Sequence, residues 1–416
     1  MNPRLGLLQP YPFERLRGLL AGVAAPAGMT PISLGLGEPQ HPTPPLIKEA
    51  VKANLGGLAR YPATAGQPEL RETIAAWITR RYGLKPLDPA TQVLPVNGSK
   101  EAVFSLVQAA LDPDERDALV ILPNPMYQIY EGATLLAGAR PHFINSLASN
   151  DLRPDWGSIP KDVWARTRLV ITCSPSNPHG RVMTQDEWKL LFDLSDRHGF
   201  LIAADECYSE IYFDEARPPL GALQAAAALG REGFPRLVSL SSLSKRSSAP
   251  GLRSGFVAGD RKVLESFLVY RTYHGSAMSN MVQMASIAAW NDETHVIESR
   301  RLYREKFAAF YERVNPVLPL TMPQAAFYFW ANIACPGNPE AGGGDDAAFA
   351  RGLFEATAVT VLPGSYIGRE AHGVNPGRGF VRMALVSTVE DAVHAAERVA
   401  KFAAHWAPAS ARATIS

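Results

Sequence analysis

Short apolar stretches alternate with longer amphipathic stretches through the middle of the chain. The apolar stretches run without polar interruption between polar, glycine or proline residues, which is typical of strands buried on both faces of a parallel sheet. They are ALVIL (118–122), RLVITC (168–173), FLIAAD (200–205), LVSLS (237–241) and GFVAG (255–259). Helix-like segments such as SKEAVFSLVQAAL (99–111) lie between them. The alternation predicts an α/β domain with right-handed crossovers.

One of these segments, TQDEWKLLFDLSDRHG (184–199), has both end signals of a helix. Thr184 and Glu187 have the spacing of a capping box, and Gly199 follows the last turn. We therefore expect a helix between Thr184 and Gly199.

The pattern changes after about residue 290. A long charged helix pattern comes first, and strand-like and helix-like segments around a glycine-rich loop follow it: AAFYFWANI (325–333), the loop (342–344), a helix, GFVRMALVS (379–387) and a final helix. The Pro-rich stretch 37–45 holds no strand–helix unit of its own, so we group it with this part. We predict a large α/β domain over 46–290 and a smaller α+β domain formed by 1–45 and 291–416.

Composition narrows the class of protein. The 416 residues are 46% hydrophobic and 19% charged, enough to bury a large core. Lys and Arg (41) nearly balance Asp and Glu (40), which gives no reason to expect nucleic acid or an anionic membrane as a partner. Three scattered cysteines (173, 207 and 335) indicate a reduced protein without a metal site. Prolines interrupt the N-terminus before any signal-like apolar run forms, so we expect a soluble cytoplasmic protein.

Polar residues follow three neighbouring predicted strands. Asn177 comes after the strand at 168–173, Asp205 ends the strand at 200–205, and Lys245 follows the strand at 237–241. Taken singly, Asn177 has the ordinary reading of an Asn-Pro turn and Asp205 that of a helix cap. Because open parallel sheets bind ligands at the carboxyl ends of their strands, the three together predict a ligand site.

The stretch VNGSKEAV (96–103) runs from a strand through a glycine turn into a helix. Such a junction directs free backbone N–H groups at an anion, although an ordinary helix cap has the same appearance. The spaced glycines of a Walker loop are missing.

A lysine that is flanked by such groups suits pyridoxal phosphate, because its amine can bond covalently to the aldehyde of that cofactor. Asp205 fits the ring nitrogen, which needs an acidic partner to stay protonated, and Asn177 and Tyr208 fit the phenolic oxygen. The phosphate requires hydroxyls, backbone amides and an arginine. The residues that match this requirement are Gly98, Ser99, Lys100, Ser242, Ser244 and Arg253.

At this point the sequence resembles the class I and II aminotransferases of pyridoxal-phosphate fold type I. The matching motifs occur in the family order over nearly the whole chain: SLGLGEPQHPTP (33–44), RYPATAGQPELRE (60–72), NGSKEAV (97–103), NPMYQIY (124–130), SNPHG (176–180), ADECYSEI (204–211), SLSKRSSAPGLRSGFVAGD (242–260) and GFVRMALV (379–386). The resemblance implies a large domain with a mostly parallel central sheet, a smaller α+β domain, and transamination as the reaction.

It also implies roles for single residues. Lys245 is expected to carry the cofactor, Asp205 to pair with its ring nitrogen, and Asn177 and Tyr208 to contact its phenolic oxygen. Tyr127 is expected to stack on the ring. Lys245, Asp205 and Tyr208 are thus the expected catalytic residues.

The remaining implied roles concern the substrate and a second subunit. Arg382 is expected to bind the substrate α-carboxylate, assisted by Asn177 and the backbone of Gly37. Tyr61 is expected to reach the phosphate held by the partner subunit, which implies a homodimer with shared active sites. Asn280 is expected to cross the same interface.

Some positions depart from the family pattern. His179 stands where threonine is usual, and we expect it in a surface turn. Tyr127 replaces the tryptophan of the aspartate enzymes, and no clear second arginine is present for a side-chain carboxylate. Both features disfavour an aspartate aminotransferase.

The stretches YRTYHGSAM (270–278) and 362–386 look like a subgroup that acts in lysine biosynthesis through diaminopimelate. It transfers the amino group of glutamate to N-succinyl-2-amino-6-oxopimelate. An aspartate- or alanine-type aminotransferase remains an alternative, as does a lyase on the same fold, because the fold does not decide the reaction.

Two rivals of other classes are less well matched. The aminotransferase-like effector domain of a transcription regulator would follow a winged-helix module with a basic face, and neither is visible before ISLGLGEP. A plain nucleotide-binding α/β protein would have a dinucleotide-type glycine fingerprint, which the sequence lacks.

Overall fold

The computed structural model describes residues 1–333 and 344–406. Cys335 and most of the glycine-rich loop predicted at 342–344 lie outside these residues. The strands are β1 (Ile32–Ser33), β2 (Val93–Val96), β3 (Leu119–Asn124), β4 (Arg140–Asn145), β5 (Thr167–Cys173), β6 (Leu201–Asp205), β7 (Leu237–Ser242), β8 (Gly255–Gly259), β9 (Tyr328–Asn332), β10 (Val359–Thr360), β11 (Leu362–Pro363) and β12 (Phe380–Ala384). The α-helices are α1 (Pro12–Leu19), α2 (Pro45–Ala53), α3 (Pro68–Tyr82), α4 (Ser99–Ala110), α5 (Ile129–Ala137), α6 (Lys161–Arg166), α7 (Gln185–His198), α8 (Ala222–Ala228), α9 (Leu243–Arg246), α10 (Arg261–His274), α11 (Asn280–Asn291), α12 (Thr294–Val314), α13 (Asp346–Thr357) and α14 (Val389–Ala403).

A seven-stranded sheet forms the centre of the fold, in the order β2-β8-β7-β6-β5-β3-β4. The strands from β7 to β4 in this order are mutually parallel, whereas β8 is antiparallel to both of its neighbours. All five predicted apolar stretches are strands of this sheet, and the mostly parallel α/β fold is confirmed. Strand β4, at one edge, was not predicted.

The continuous apolar runs have a simple explanation in this sheet. Ile121 and Val170 belong to the hydrophobic core on one face, and their neighbours Val120 and Leu169 belong to the core on the other. All four are fully buried. Because successive side chains of a strand point to opposite faces, a strand that is covered on both sides needs apolar residues at every position. Edge strand β4 is only partly covered, and its sequence mixes polar with apolar residues.

The predicted ends of α7 are confirmed. Thr184 Oγ1 accepts a hydrogen bond from the Glu187 amide, and Glu187 Oε2 accepts one from the Thr184 amide at 2.7 Å. Gly199 closes the helix with φ at 79°, a conformation that glycine adopts without steric cost.

A second, three-stranded antiparallel sheet has the order β11-β12-β9. It packs with α12 and α14 around a separate aromatic-rich core that includes Phe307, Phe310 and Phe329. The N-terminal segment joins this part, because β1 pairs with β10 in parallel. The predicted domain bounds, 46–290 against 1–45 and 291–416, stay a prediction.

No helix within residues 1–333 or 344–406 is long and apolar enough to cross a membrane. The same residues hold no group of three or more His, Cys, Asp or Glu side chains that could bind a metal ion.

Candidate active site

A cavity of about 430 Å³ opens where the carboxyl ends of β5, β6 and β7 face the smaller sheet. Most residues predicted from the sequence line it: Gly37, Ser99, Lys100, Tyr127, Asn177, Asp205, Tyr208, Ser242, Ser244, Lys245, Arg253 and Arg382. These residues come from segments that are more than three hundred positions apart, so the fold brings together what the sequence only suggested.

Lys245 lies on the short helix α9, directly after β7. Its Nζ donates a hydrogen bond to the carbonyl oxygen of Gly37 at 2.6 Å. Burial lowers the pKa of Lys245 to about 8. A substantial fraction of the amine is therefore neutral near pH 8, which is the form that attacks an aldehyde.

Asp205 ends β6 and is buried. Tyr130 donates its phenolic hydrogen to Asp205 Oδ2 at 2.7 Å, and the Cys207 amide donates to Oδ1 at 3.2 Å. Burial and the Asp205 charge hold the pKa of Tyr130 well above its ordinary value, so Tyr130 remains the donor. The two donors thereby hold the carboxyl group in one orientation.

Tyr130 was not among the predicted residues. A signal for it exists in NPMYQIY, because Tyr130 follows the predicted ring-stacking residue Tyr127 by three positions at the start of α5. The two rings meet edge to face with centroids 5.8 Å apart.

Arg382, on β12 of the smaller sheet, reaches across to the large sheet. Its Nη1 donates to Asn177 Oδ1 at 2.9 Å, and its Nη2 donates to the carbonyl oxygen of Gly35 at 2.8 Å. Arg382 Nε is buried and has no hydrogen-bond partner among the described residues. A buried guanidinium with an unused N–H beside a cavity is suited to binding a carboxylate.

Tyr208 and Tyr328 form a second contact between the two sheets. Their hydroxyl oxygens are 2.9 Å apart. The guanidinium carbon of Arg382 lies 4.5 Å from the centroid of the Tyr328 ring. Tyr328 also lines the cavity, and it was not predicted from the sequence.

An anion-binding corner is built where α4 begins. No side chain caps the N-terminus of α4, so its first amides are free to donate outward. Gly98 precedes the helix with φ at 83°, and a Cβ at this position would overlap the Arg253 guanidinium. Arg253 Nη1 lies 3.4 Å from Ser244 Oγ, and Ser242 Oγ contacts Ser244 Oγ at 2.9 Å.

The expectation that His179 lies in a surface turn is wrong in one respect. The turn is present, but the ring is half-buried and its Nδ1 is 2.6 Å from Ser176 Oγ. Burial lowers the pKa of His179 to about 3, so the imidazole is neutral.

Three predicted residues do not line the cavity of their own chain: Gly98, which lies just outside it before α4, and Tyr61 and Asn280. Tyr61 is fully exposed. Asn280 donates from Nδ2 to the carbonyl oxygens of Gly57 and Arg60 at 3.2 and 3.0 Å, so it holds the segment next to Tyr61. Their roles across a subunit interface stay predictions.

Known proteins of one family resemble the chain over nearly its whole length. The family model described as aminotransferase class I and II matches residues 30–399. The LL-diaminopimelate aminotransferase of Desulforudis audaxviator is 34% identical over 400 residues, which cover 95% of this chain and 96% of the relative. The LL-diaminopimelate aminotransferase of Nitratidesulfovibrio vulgaris (strain Miyazaki F) is 32% identical and covers 95% of this chain and 97% of its own length.

Solved structures show the same fold. An aminotransferase from Neisseria meningitidis Z2491 superposes with a TM-score of 0.90 at 52% identity, covering 96% of this chain and 99% of that one. The aminotransferase AspB from Helicobacter pylori 26695 gives a TM-score of 0.86 at 33% identity, covering 96% and 100%.

Proposed function

The chain belongs to the class I and II aminotransferases, and on that basis we propose that it is a pyridoxal-phosphate-dependent succinyldiaminopimelate aminotransferase with glutamate as amino donor. The observation that carries the proposal is one cavity in which a half-buried lysine of lowered pKa, a buried carboxylate and a partly unpaired arginine face each other. Transamination needs these three groups, one for each reacting part of cofactor and substrate.

The residues present fit pyridoxal phosphate. The uncapped start of α4, Arg253 and the two serines would hold its phosphate, and Asp205 would pair with its ring nitrogen. Asn177 and Tyr208 would contact the phenolic oxygen, and Tyr127 would stack on the ring. When bound, the cofactor supplies an electron sink for the bond that breaks at the substrate α-carbon.

The chain's own groups would do the rest. Lys245 would serve as the general base and acid that moves the proton of the substrate α-carbon. The Asp205 charge acts in a site shielded from water, where such a charge stabilises the transition state strongly. Arg382 holds the α-carboxylate, and Asn177 keeps the guanidinium in place.

The substrate assignment rests on two supports. The relatives that are named LL-diaminopimelate aminotransferases favour a long diamino diacid over a short substrate. In addition, the exposed Lys100 and the aromatic Tyr11 line the cavity together, with Lys100 Nζ 5.3 Å from the Tyr11 ring centroid. A cation at that position could bind the far carboxylate of a long substrate.

A panel of amino acceptors tests the assignment, with glutamate as donor. We expect N-succinyl-2-amino-6-oxopimelate to give a higher kcat/KM than oxaloacetate or pyruvate. In a separate assay, acetylornithine in place of glutamate as amino donor should react more weakly than glutamate. A similar or higher kcat/KM for the unacylated diaminopimelate pair would move the assignment to the activity for which the relatives are named. If oxaloacetate won by about tenfold, the diaminopimelate assignment would fail and the aminotransferase assignment would survive.

A second test addresses the cofactor. Purified protein should show the visible absorbance of the lysine-bound cofactor, and glutamate should bleach it; a lyase would not be converted in this way. Lys245→Ala should lose both the absorbance and turnover. An active Lys245→Ala protein that keeps the absorbance would overturn the proposal.

We further propose that the enzyme is a cytoplasmic homodimer with shared sites.

A further inference from the structure

The hydroxyl groups of Tyr208 and Tyr328 form a contact that connects the part of the cavity proposed to hold the cofactor with the part proposed to bind the substrate carboxylate. Tyr208 follows β6 of the large sheet, whereas Tyr328 begins β9 of the smaller sheet. The oxygens are 2.9 Å apart, the rings meet edge to face with centroids 5.6 Å apart, and both side chains are buried. The contact therefore crosses from the cofactor side of the cavity to the substrate side.

Tyr328 is fixed by its other neighbours. Arg382 stacks over its ring at 4.5 Å, which is close enough for a cation–π interaction. The backbone of Gly37 packs directly on the hydroxyl, because a Cβ at this position would overlap the Tyr328 oxygen. Gly37 is also the residue whose carbonyl accepts the hydrogen bond from Lys245.

The direction of the hydrogen bond follows from charge. Burial raises the pKa of both phenols, so each keeps its proton, and only one of the two can donate to the other. The Arg382 guanidinium lowers the pKa of both phenols, but it lies directly over the Tyr328 ring and acts more strongly there, which makes Tyr328 the better donor. Tyr208 then accepts from Tyr328, and its own proton is free to point into the cavity. A hydroxyl that accepts a hydrogen bond also becomes a stronger donor.

We propose that Tyr328 is a positioning residue that acts through Tyr208, holding the Tyr208 proton toward the phenolic oxygen of the cofactor and linking it to the carboxylate-binding Arg382. The inference rests on the proposed function, since it assigns a task to a group that faces pyridoxal phosphate. It concerns the hydroxyl of Tyr328, whereas its ring serves Arg382.

Two substitutions separate the hydroxyl from the ring. Tyr328→Phe removes only the hydroxyl, and Tyr328→Leu removes the ring as well. The matched control is Tyr303→Phe, because Tyr303 is fully buried in the same core and its hydroxyl has no hydrogen-bond partner among the described residues. The readout is the pH midpoint of the absorbance change of the bound cofactor in holoenzyme, with kcat and KM for glutamate measured alongside.

We expect Tyr328→Phe to raise that midpoint by about half a pH unit, a fraction of the energy of one hydrogen bond. The reason is that Tyr208, as a weaker donor, would leave more negative charge on the phenolic oxygen of the cofactor. The cofactor-linked nitrogen of Lys245 would then hold its proton more tightly. KM should change by less than about twofold in Tyr328→Phe and rise roughly three- to tenfold in Tyr328→Leu, where the cation–π contact is lost. Tyr303→Phe should leave the midpoint in place.

A double-mutant cycle with Tyr208→Phe completes the test. In the Tyr208→Phe background, Tyr328→Phe should cause no additional shift. An unchanged midpoint in folded Tyr328→Phe, an equal shift in Tyr303→Phe, or full additivity in the cycle would each overturn the role of Tyr328. Absence of cofactor absorbance in the wild-type protein would instead overturn the proposed function itself, so the two failures are distinguishable.

Discussion

Tyr130 donates its phenolic hydrogen to Asp205 across 2.7 Å, and both side chains are buried. The bond joins the first turn of α5 to the carboxyl end of β6. Together with the Cys207 amide on the other oxygen, it gives each carboxylate oxygen one donor. Both oxygens of this buried side chain therefore have a hydrogen-bond partner, as buried polar groups require.

The first prediction concerns this pair. Asp205→Asn keeps the shape of the side chain but removes its charge. It should therefore lower kcat by a factor that corresponds to about 2–4 kcal/mol of lost transition-state stabilisation. Tyr130→Phe should cost less, about 1–2 kcal/mol, as for one hydrogen bond to a charged group. Steady-state kinetics with glutamate measure both effects.

The control is Tyr82→Phe, because Tyr82 is a buried tyrosine that contacts the carboxylate of Glu206 at 3.5 Å, and neither residue lines the cavity. It should leave kcat near the wild-type value. Transamination by Asp205→Asn at the wild-type rate would show that the assignment of the charge is wrong.

The second prediction concerns pH and Lys245 in cofactor-free protein. Since burial lowers the pKa of Lys245 from 10.5 to about 8, the unfolded chain binds a proton that the folded chain lacks between these values. The wild-type protein should therefore gain stability relative to Lys245→Met as the pH rises above 8, by up to about 3 kcal/mol in total. Below pH 8 the full penalty is present, and Lys245→Met should be the more stable protein. Denaturant unfolding at several pH values measures the difference, and a pH-independent difference would contradict the lowered pKa.

The rate of cofactor uptake gives an independent readout of the same group. Uptake requires the neutral amine, so its rate should rise with pH and level off above about pH 8. A rate that continues to rise to pH 10 would indicate an amine with its ordinary pKa.

The third prediction concerns Arg382. Lysine cannot reproduce the planar fork that contacts Asn177 and Gly35, so Arg382→Lys should lower kcat/KM for donor and acceptor by about 10- to 100-fold, mostly through KM. Cofactor absorbance should be retained. The matched control is Arg398→Lys, because Arg398 bonds to the backbone carbonyls of Thr30 and Thr357, away from the cavity. Equal effects of the two substitutions would mean that Arg382 has no specific role in substrate binding.

The fourth prediction concerns the fully exposed Tyr61, which we expect to complete the partner's site. A Lys245→Ala chain mixed with a Tyr61→Phe chain forms hybrid dimers in which one site carries both lesions and the other carries neither. About a quarter of the wild-type activity should return, because half of the dimers are hybrid and each has one intact site. Tyr273→Phe, at a tyrosine of similar exposure, should be active by itself. No recovery in a mixture with proven hybrid dimers would place Tyr61 in its own chain's site.

The sequence by itself determined five strands of the large sheet and the edge of that sheet where the site lies. Continuous apolar runs mark strands that are covered on both faces, and this local pattern needs no knowledge of the partners. The carboxyl ends of those strands then locate Asn177, Asp205 and Lys245. The capping box of α7 was readable for the same reason, since all of its hydrogen bonds lie within four residues.

Only the tertiary structure decided the contacts between distant segments. The hydrogen bonds from Tyr130 to Asp205, from Lys245 to Gly37 and from Arg382 to Asn177 join residues 75, 208 and 205 positions apart. No periodicity along the chain encodes such pairs. The reversed direction of β8 was equally hidden, because its apolar pattern is the same in parallel and antiparallel pairing. Tyr328 was missed because an apolar strand gives no sign of which hydroxyl will meet another across two sheets, and that depends on how the sheets pack.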